Sequence, residues 1–228
     1  MNELSLFSGA GGGLLASKII GWRTVCAVEL DWYNRCVLVQ RQNDGILRPA
    51  FPIWDDIRKF DGRAWRGKID VVTGGFPCQA FSTAARGRNN ADDLWPEMRR
   101  VIDESEPKFV FAENVSRTAI DTAADDLEKM GYKTKAISLS AEDLGADHIR
   151  ERYWLLAYAD DKSKLLCGLN AKMEFGNCIQ TNIWQTFSDY SRMDDGVADR
   201  MERYKATGNG QIPAVAIAAL IHLVNLFD

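Results

Sequence analysis

Short apolar runs, each followed by a turn and then a helical pattern, recur along most of the chain, and this alternation limits the fold more than any other feature. Leu4-Ser5-Leu6-Phe7 reads as a strand ending in the cluster Gly9-Ala10-Gly11-Gly12-Gly13. Leu14, Leu15, Ile19 and Ile20 then mark a helix that stops at Gly21. Thr24-Val25-Cys26-Ala27-Val28 reads as a second strand and residues 32–42 as a helix, with Cys36, Val37 and Val39 available for burial. Ile69-Asp70-Val71-Val72-Thr73 and Phe109-Val110-Phe111-Ala112 read as buried strands, and helical patterns over 95–104 and about 120–130 follow them in turn. Strands and helices at this spacing predict right-handed βαβ units, hence an α/β fold with a mostly parallel sheet and helices on both faces.

The later chain changes character. The β-rich runs 135–140 and 153–158 predict a hairpin-like or mixed edge to the sheet. Residues from about 160 to 191 lack periodicity and read as an irregular insert. Pro213 then opens an amphipathic helix with Val215, Ala216, Ala219, Leu220, Leu223 and Val224 on one side.

At 228 residues, 46% hydrophobic and 26% charged, the chain is long enough for a single cored domain, which excludes a disordered or fibrous protein. No run approaches the roughly 18 apolar residues of a membrane span, and Met1-Asn2-Glu3-Leu4 lacks the basic start of a secretory leader. Cys26, Cys36, Cys78, Cys167 and Cys178 form no CxxC pair, and only His148 and His222 accompany them. Neither a disulfide framework nor a metal site is therefore expected, and the setting is a reduced cytoplasm. The net charge of −4 means that any grip on nucleic acid must come from positive charge gathered on one face.

Five constellations carry chemistry. The glycine cluster lies at the end of a strand, where backbone can turn sharply and a ligand can approach main-chain N–H groups; a plain structural turn or a nicotinamide dinucleotide site would use the same pattern. Glu29 follows the second strand about 20 residues later, where a carboxylate can accept from ribose hydroxyls. Asp56 with Ile57 could receive an adenine amino group and pack its ring, so the three together suit a nucleoside-containing cofactor. Cys78, after Gly74-Gly75-Phe76-Pro77, sits in a constrained polar loop at the same sheet edge, and a thiolate there is a good nucleophile. Cys26 and Cys36, inside a strand and a helix, read instead as small buried hydrophobes. Glu113, at the end of the next strand, can carry a raised pKa and donate a proton to a ring nitrogen. Arg150 and Arg152, at period-2 spacing, point to one face and could hold an oxygen or phosphates; a surface ladder with Glu151 or Asp147 is the plainer alternative.

Phe7-Ser8-Gly9-x-Gly11-Gly12, Pro77-Cys78-Gln79, Glu113-Asn114-Val115, x-Arg150-x-Arg152 and Gly208-Asn209-Gly210-x-x-Pro213 occur in one order along the chain. In this the sequence resembles the cytosine-C5 DNA methyltransferases, above all the compact versions encoded by phages and prophages, over residues 4–158 and again from about 192. The resemblance implies a Rossmann-like methyltransferase fold that binds S-adenosylmethionine and releases S-adenosylhomocysteine. Phe7, Ser8, Gly9, Gly11, Glu29, Leu30, Asp56, Ile57, Pro77 and Asn209 would surround the cofactor. Cys78 would attack C6 of a cytosine extruded from duplex DNA, Glu113 would bond N3 and the exocyclic amine, and Arg152 with Arg150 would hold the carbonyl oxygen or steady the thiolate. Gln79, Ser82, Arg86, Arg88 and Arg203 would meet the DNA.

The resemblance also implies a division into a catalytic and cofactor-binding part over 1–159, a recognition segment over 160–203, and a C-terminal motif and helix over 204–228 that complete the first part. Ser5 stands where relatives often carry Asp, His148 where Gln is usual, and Gly210 where Ala or Ser is common; none of these removes a reacting group. The recognition segment is far shorter than in restriction-associated enzymes, which leaves open a short target site, help from a second subunit, or relaxed specificity. A catalytically idle binding subunit and an RNA methyltransferase of the same chemistry are the competing functions.

Overall fold

The computed structural model describes residues 1–77, 93–159, 206, 208 and 210–227. The elements run β1 (Asn2–Leu6), α1 (Gly12–Ile19), β2 (Arg23–Val28), α2 (Trp32–Asn43), β3 (Ile53–Trp54), β4 (Val71–Gly75), α3 (Trp95–Ser105), β5 (Phe109–Asn114), α4 (Arg117–Lys129), β6 (Tyr132–Leu139), β7 (Arg152–Ala159) and α5 (Pro213–Asn225). The strands form one sheet in the order β3-β2-β1-β4-β5-β7-β6. Every pairing from β3 to β5 is parallel, and β7 runs antiparallel to both β5 and β6. The expected mixed edge is thus an antiparallel strand placed between β5 and the strand that follows α4.

Period-2 alternation sorts the two faces of the sheet. Val72, Val110, Ala112, Leu155 and Ala157 pack on one side with Met98, Val101 and Ile102 of α3 and Ile120, Ala123 and Leu127 of α4. Val71, Phe109, Phe111, Trp154, Leu156 and Tyr158 pack on the other with α5 and Ala16 of α1. Because α5 is wedged against α1, β6 and β7, Ile217 and Ala218 are buried as well as the six residues expected on one side. The fourth helix begins at Arg117, before the apolar pattern does, because Ser116 caps it by accepting from the Ala119 amide.

One expectation fails at α2. Cys36 is exposed, Val39 is 49% exposed, and only Leu38 is fully buried, against Leu14, Ala27, Leu47 and Phe51. The helix lies beside the thin edge of the sheet, where a two-residue β3 leaves little surface to cover. Cys26 is buried as expected, and burial pushes its thiol up to about 11.

Glu3 is fully buried on β1, an interior strand of the sheet. Its carboxylate accepts from Ser17 at 2.6 Å, Thr73 at 2.7 Å and Thr24 at 2.7 Å, so it links β1 to α1, β2 and β4. Burial raises its pKa against the pull of those hydroxyls. An acid whose folded pKa is raised stabilises the fold below its unfolded pKa and loses that contribution as pH rises through the folded value. Glu3→Gln, neutral and of the same shape, is therefore expected to melt with the parent at acid pH and at progressively higher temperature than the parent as pH rises. Paired thermal melts across pH check this; a difference that does not change with pH contradicts it.

Candidate active site

The strand order reverses between β1 and β4, and open α/β sheets bind ligands at the carboxyl ends of the strands flanking such a point. Both the glycine turn and the loop that leads to Cys78 leave the sheet there. A small cleft lies between them, lined by Phe7, Ser8, Gly9, Gly75, Glu113 and Gln211 among others.

The turn after β1 is held from several directions. Phe7 adopts φ 53, the Ser8 amide donates to the Val28 carbonyl, and the Ser8 hydroxyl donates to Ser5 Oγ at 2.9 Å. Ser5, the departure from the usual Asp, thus braces the turn. The Gly9 amide donates to Glu29 Oε2 at 2.6 Å, and a Cβ on Gly9 would meet nothing within 4 Å, so the space over it is open to a ligand. Gly11 differs: a Cβ there would lie 2.8 Å from Leu38, so this glycine serves the packing of α1 on α2.

Glu29 is 8% exposed, accepts a second amide from Asp31 at 2.8 Å, and has its pKa raised by burial. Asp56 accepts from the Arg58 amide at 3.0 Å and guanidinium at 3.1 Å; slight burial opposes ionisation, but Arg58 outweighs it and holds the carboxyl low. Ile57 packs inward with Phe60, which leaves Leu30 and Trp54, 54% and 46% exposed, as the apolar surface at this edge. Trp54 escaped the sequence reading because its own neighbours give it no motif.

Gly75 pairs with Glu113 across β4 and β5, three residues before Cys78. Asn114 Nδ2 donates to the Phe76 carbonyl at 2.8 Å while its Oδ1 accepts from the Ser116 amide, so it ties the end of β4 to the cap of α4. The Leu94 amide donates to the Pro77 carbonyl at 3.4 Å and Trp95 packs on Phe76, so the start of α3 is tied to the end of β4. Cys78, Gln79, Ser82, Arg86, Arg88, Arg203 and Asn209 lie outside the described residues.

Glu113 is 8% exposed. Arg152 Nε lies 3.0 Å from its Oε1, and Gln211 Nε2 donates to its Oε2 at 3.5 Å. Burial raises its pKa, and Arg152 beside it is the largest opposing influence. Arg150 acts on Glu113 and Arg152 through charge but finds its hydrogen-bond partners elsewhere. It precedes β7, and its Nη2 donates to the carbonyls of Gly208 at 2.7 Å and Gly210 at 2.6 Å. Those carbonyls bracket Asn209, so Arg150 latches the C-terminal motif to the sheet edge while Arg152 pairs with the acid.

Comparison with known proteins agrees with this arrangement. A family model described as C-5 cytosine-specific DNA methylase matches residues 1–212. The chain is 32% identical over 176 residues to Type II methyltransferase M1.HphI of Haemophilus parahaemolyticus, covering 70% of this chain and 46% of that protein. It is 37% identical over 147 residues to Type II methyltransferase M.PspPI of Psychrobacter sp. (strain TA137), covering 62% of this chain and 32% of that protein. The solved structure of S. pombe Dnmt2 methyltransferase shares the fold, with a TM-score of 0.55 and 20% identity over 72% of this chain and 55% of that one. The chain thus spans a third to a half of the length of these curated relatives. The sheet order, the cleft at its reversal point and the match over residues 1–212 together make the chain a member of the C-5 cytosine-specific DNA methylase family.

Proposed function

We propose that the chain transfers a methyl group from S-adenosylmethionine to C5 of a cytosine flipped out of duplex DNA. The observation that carries this reading is the buried Glu113–Arg152 pair, one strand from the segment that leads into Cys78 and beside an open glycine turn.

The residues present fit the cofactor. Open space over Gly9 suits a bound ligand, Glu29 is a buried acceptor fixed by two amides, and Leu30 and Trp54 offer apolar surface for a flat ring. S-adenosylmethionine, when bound, supplies an electrophilic methyl group. Phe7, Ser8, Gly9, Glu29, Leu30, Asp56, Pro77 and Asn209 are the residues proposed to hold it, while Gly11 and Ile57 support the site from the packing behind it.

C5 of cytosine is a poor nucleophile until the ring is activated. The Cys78 thiolate adds to C6, forming a carbon–sulfur bond, while Glu113 gives its proton to N3, so electron density moves to C5 as in an enamine. After C5 carries the new methyl, loss of the C5 proton to water re-forms the C5–C6 double bond and expels the thiolate, and N3 returns its proton to Glu113. Burial of Glu113 suits the donor role because it favours the protonated acid, and Arg152 fixes the carboxyl plane. Flipping is needed because stacked neighbours cover the ring faces from which C6 and C5 must be approached.

Gln79, Ser82, Arg86, Arg88 and Arg203 are proposed DNA contacts, with 160–203 as a short recognition segment and 204–228 completing the catalytic part. Among the described residues no helix is long and apolar enough to cross a membrane. A reduced bacterial or phage-infected cytoplasm is the proposed setting, as part of a restriction–modification system or as a prophage enzyme.

The test is methyl transfer from labelled S-adenosylmethionine to unmethylated genomic DNA, with structured RNA in parallel, followed by base-resolution mapping. Methylated cytosines at a short recurring site are expected. Cofactor binding without transfer would favour an idle subunit or one that needs a second chain, and transfer to RNA alone would favour an RNA enzyme.

A further inference from the structure

We propose that Gln211 is a positioning residue that bridges the glycine turn to the carboxylate of Glu113 and sets the direction in which that carboxylate meets the cytosine ring. The proposal rests on the methyl-transfer reading and adds to it a residue that the Gly-Asn-Gly-x-x-Pro pattern left open.

Three glycines crowd against this one residue, one against its backbone and two against its side chain. A Cβ on Gly12 would lie 2.0 Å from the Gln211 carbonyl oxygen, which is backbone and cannot move aside. A Cβ on Gly13 would lie 2.3 Å from Gln211 Oε1, and one on Gly75 would lie 3.3 Å from Nε2 and 2.7 Å from Glu113 Oε2. Bare backbone at Gly13 and Gly75 leaves room for the amide at the carboxyl ends of β1 and β4, where it reaches Glu113, and bare backbone at Gly12 admits the main chain of Gln211. Gln211 is anchored on both sides, since Arg150 holds the Gly210 carbonyl and α5 starts two residues later at Pro213.

The carboxylate of Glu113 is therefore gripped at both oxygens, by Arg152 Nε on Oε1 and Gln211 Nε2 on Oε2. At 3.5 Å the amide bond is long, so it acts by direction more than by strength. A donor at this place also favours the ionised carboxylate, as do Arg152 and Arg150, the two charged groups that act on Glu113 among the described residues. Removing it leaves burial less opposed, and Glu113 then keeps its proton to higher pH.

Gln211→Met keeps the length of the side chain and removes the donor. It is expected to lower kcat about tenfold, with KM for DNA and for S-adenosylmethionine within about twofold of the parent. The alkaline limb of its kcat–pH profile should move to higher pH. The Glu113 carboxyl resonance in carbon-13 NMR, assigned by its loss in Glu113→Gln, should titrate at higher pH in the same direction. A Met variant with the parent's kcat and an unmoved titration overturns the proposal, as does a loss confined to KM. If melting shows that the Met variant does not fold, Gln211→Glu takes its place: a second acid must push the Glu113 titration up, and an unmoved one overturns the bridge. A parent protein that methylates no DNA would sink the functional reading, while the NMR titration would still decide whether Gln211 bridges to Glu113.

Discussion

Cys78→Ala is expected to lose methyl transfer by on the order of four decades or more while binding S-adenosylmethionine within about threefold of the parent. The reason is chemical. Without the carbon–sulfur bond at C6, the electrons needed at C5 remain in the aromatic ring. Cofactor binding should survive because the open space over Gly9, the acceptor Glu29 and the exposed Leu30 do not depend on the thiol. Single-turnover methyl transfer and equilibrium cofactor titration measure the two quantities separately. Normal turnover in this variant would refute Cys78 as the nucleophile. Loss of cofactor binding would instead place the residue in the scaffold of the site.

Glu113→Gln should slow turnover by roughly 10²–10⁴-fold, the range for removing a positioned proton donor. An amide can still bond N3 weakly and accept from the cytosine amine, but it has no proton to give up as C5 gains electron density. The fold should hold, because the new amide oxygen can accept from Arg152 Nε, which now lies 3.0 Å from Oε1. A melting temperature close to the parent's, beside a large fall in kcat, is the expected pair of results. The pH profile should change as well. Burial raises the pKa of Glu113, so the parent is active with the acid protonated and loses that form as pH rises through the raised value. The Gln variant should lack that alkaline limb. Wild-type rates would remove Glu113 from the reaction.

Both residues could be picked out before any fold was known because each belongs to a local pattern with a chemical purpose. Cys78 follows a buried strand and a Gly-Gly turn, and Glu113 ends the next strand, so each was expected at one sheet edge from strand direction alone. Their partners could not be picked out in the same way. Arg150 and Arg152 looked alike in sequence, two arginines at period-2 spacing. In the fold Arg150 lies ahead of β7 and spends its guanidinium on two backbone carbonyls, while Arg152 reaches Glu113. Gln211 occupied an open position of its motif, and its contact with Glu113 spans 98 residues of chain. Burial at α2 was misjudged for a related reason: periodicity shows which residues share a face, and says nothing of whether the sheet behind that face is wide enough to cover it.

From the residues alone came the alternation of strand and helix, the mostly parallel character of the sheet, its mixed edge, and the placement of an acid and a glycine turn on one side, where the thiol was expected too. These follow from φ/ψ preferences and side-chain periodicity, which act over a few residues. Only the tertiary structure decided that β7 lies between β5 and β6, that Arg150 latches a loop while Arg152 holds an acid, and that Gly12 and Gly13 make room for Gln211. Those outcomes depend on which distant segments the closing core presses together, and packing of that range leaves no local mark in the chain.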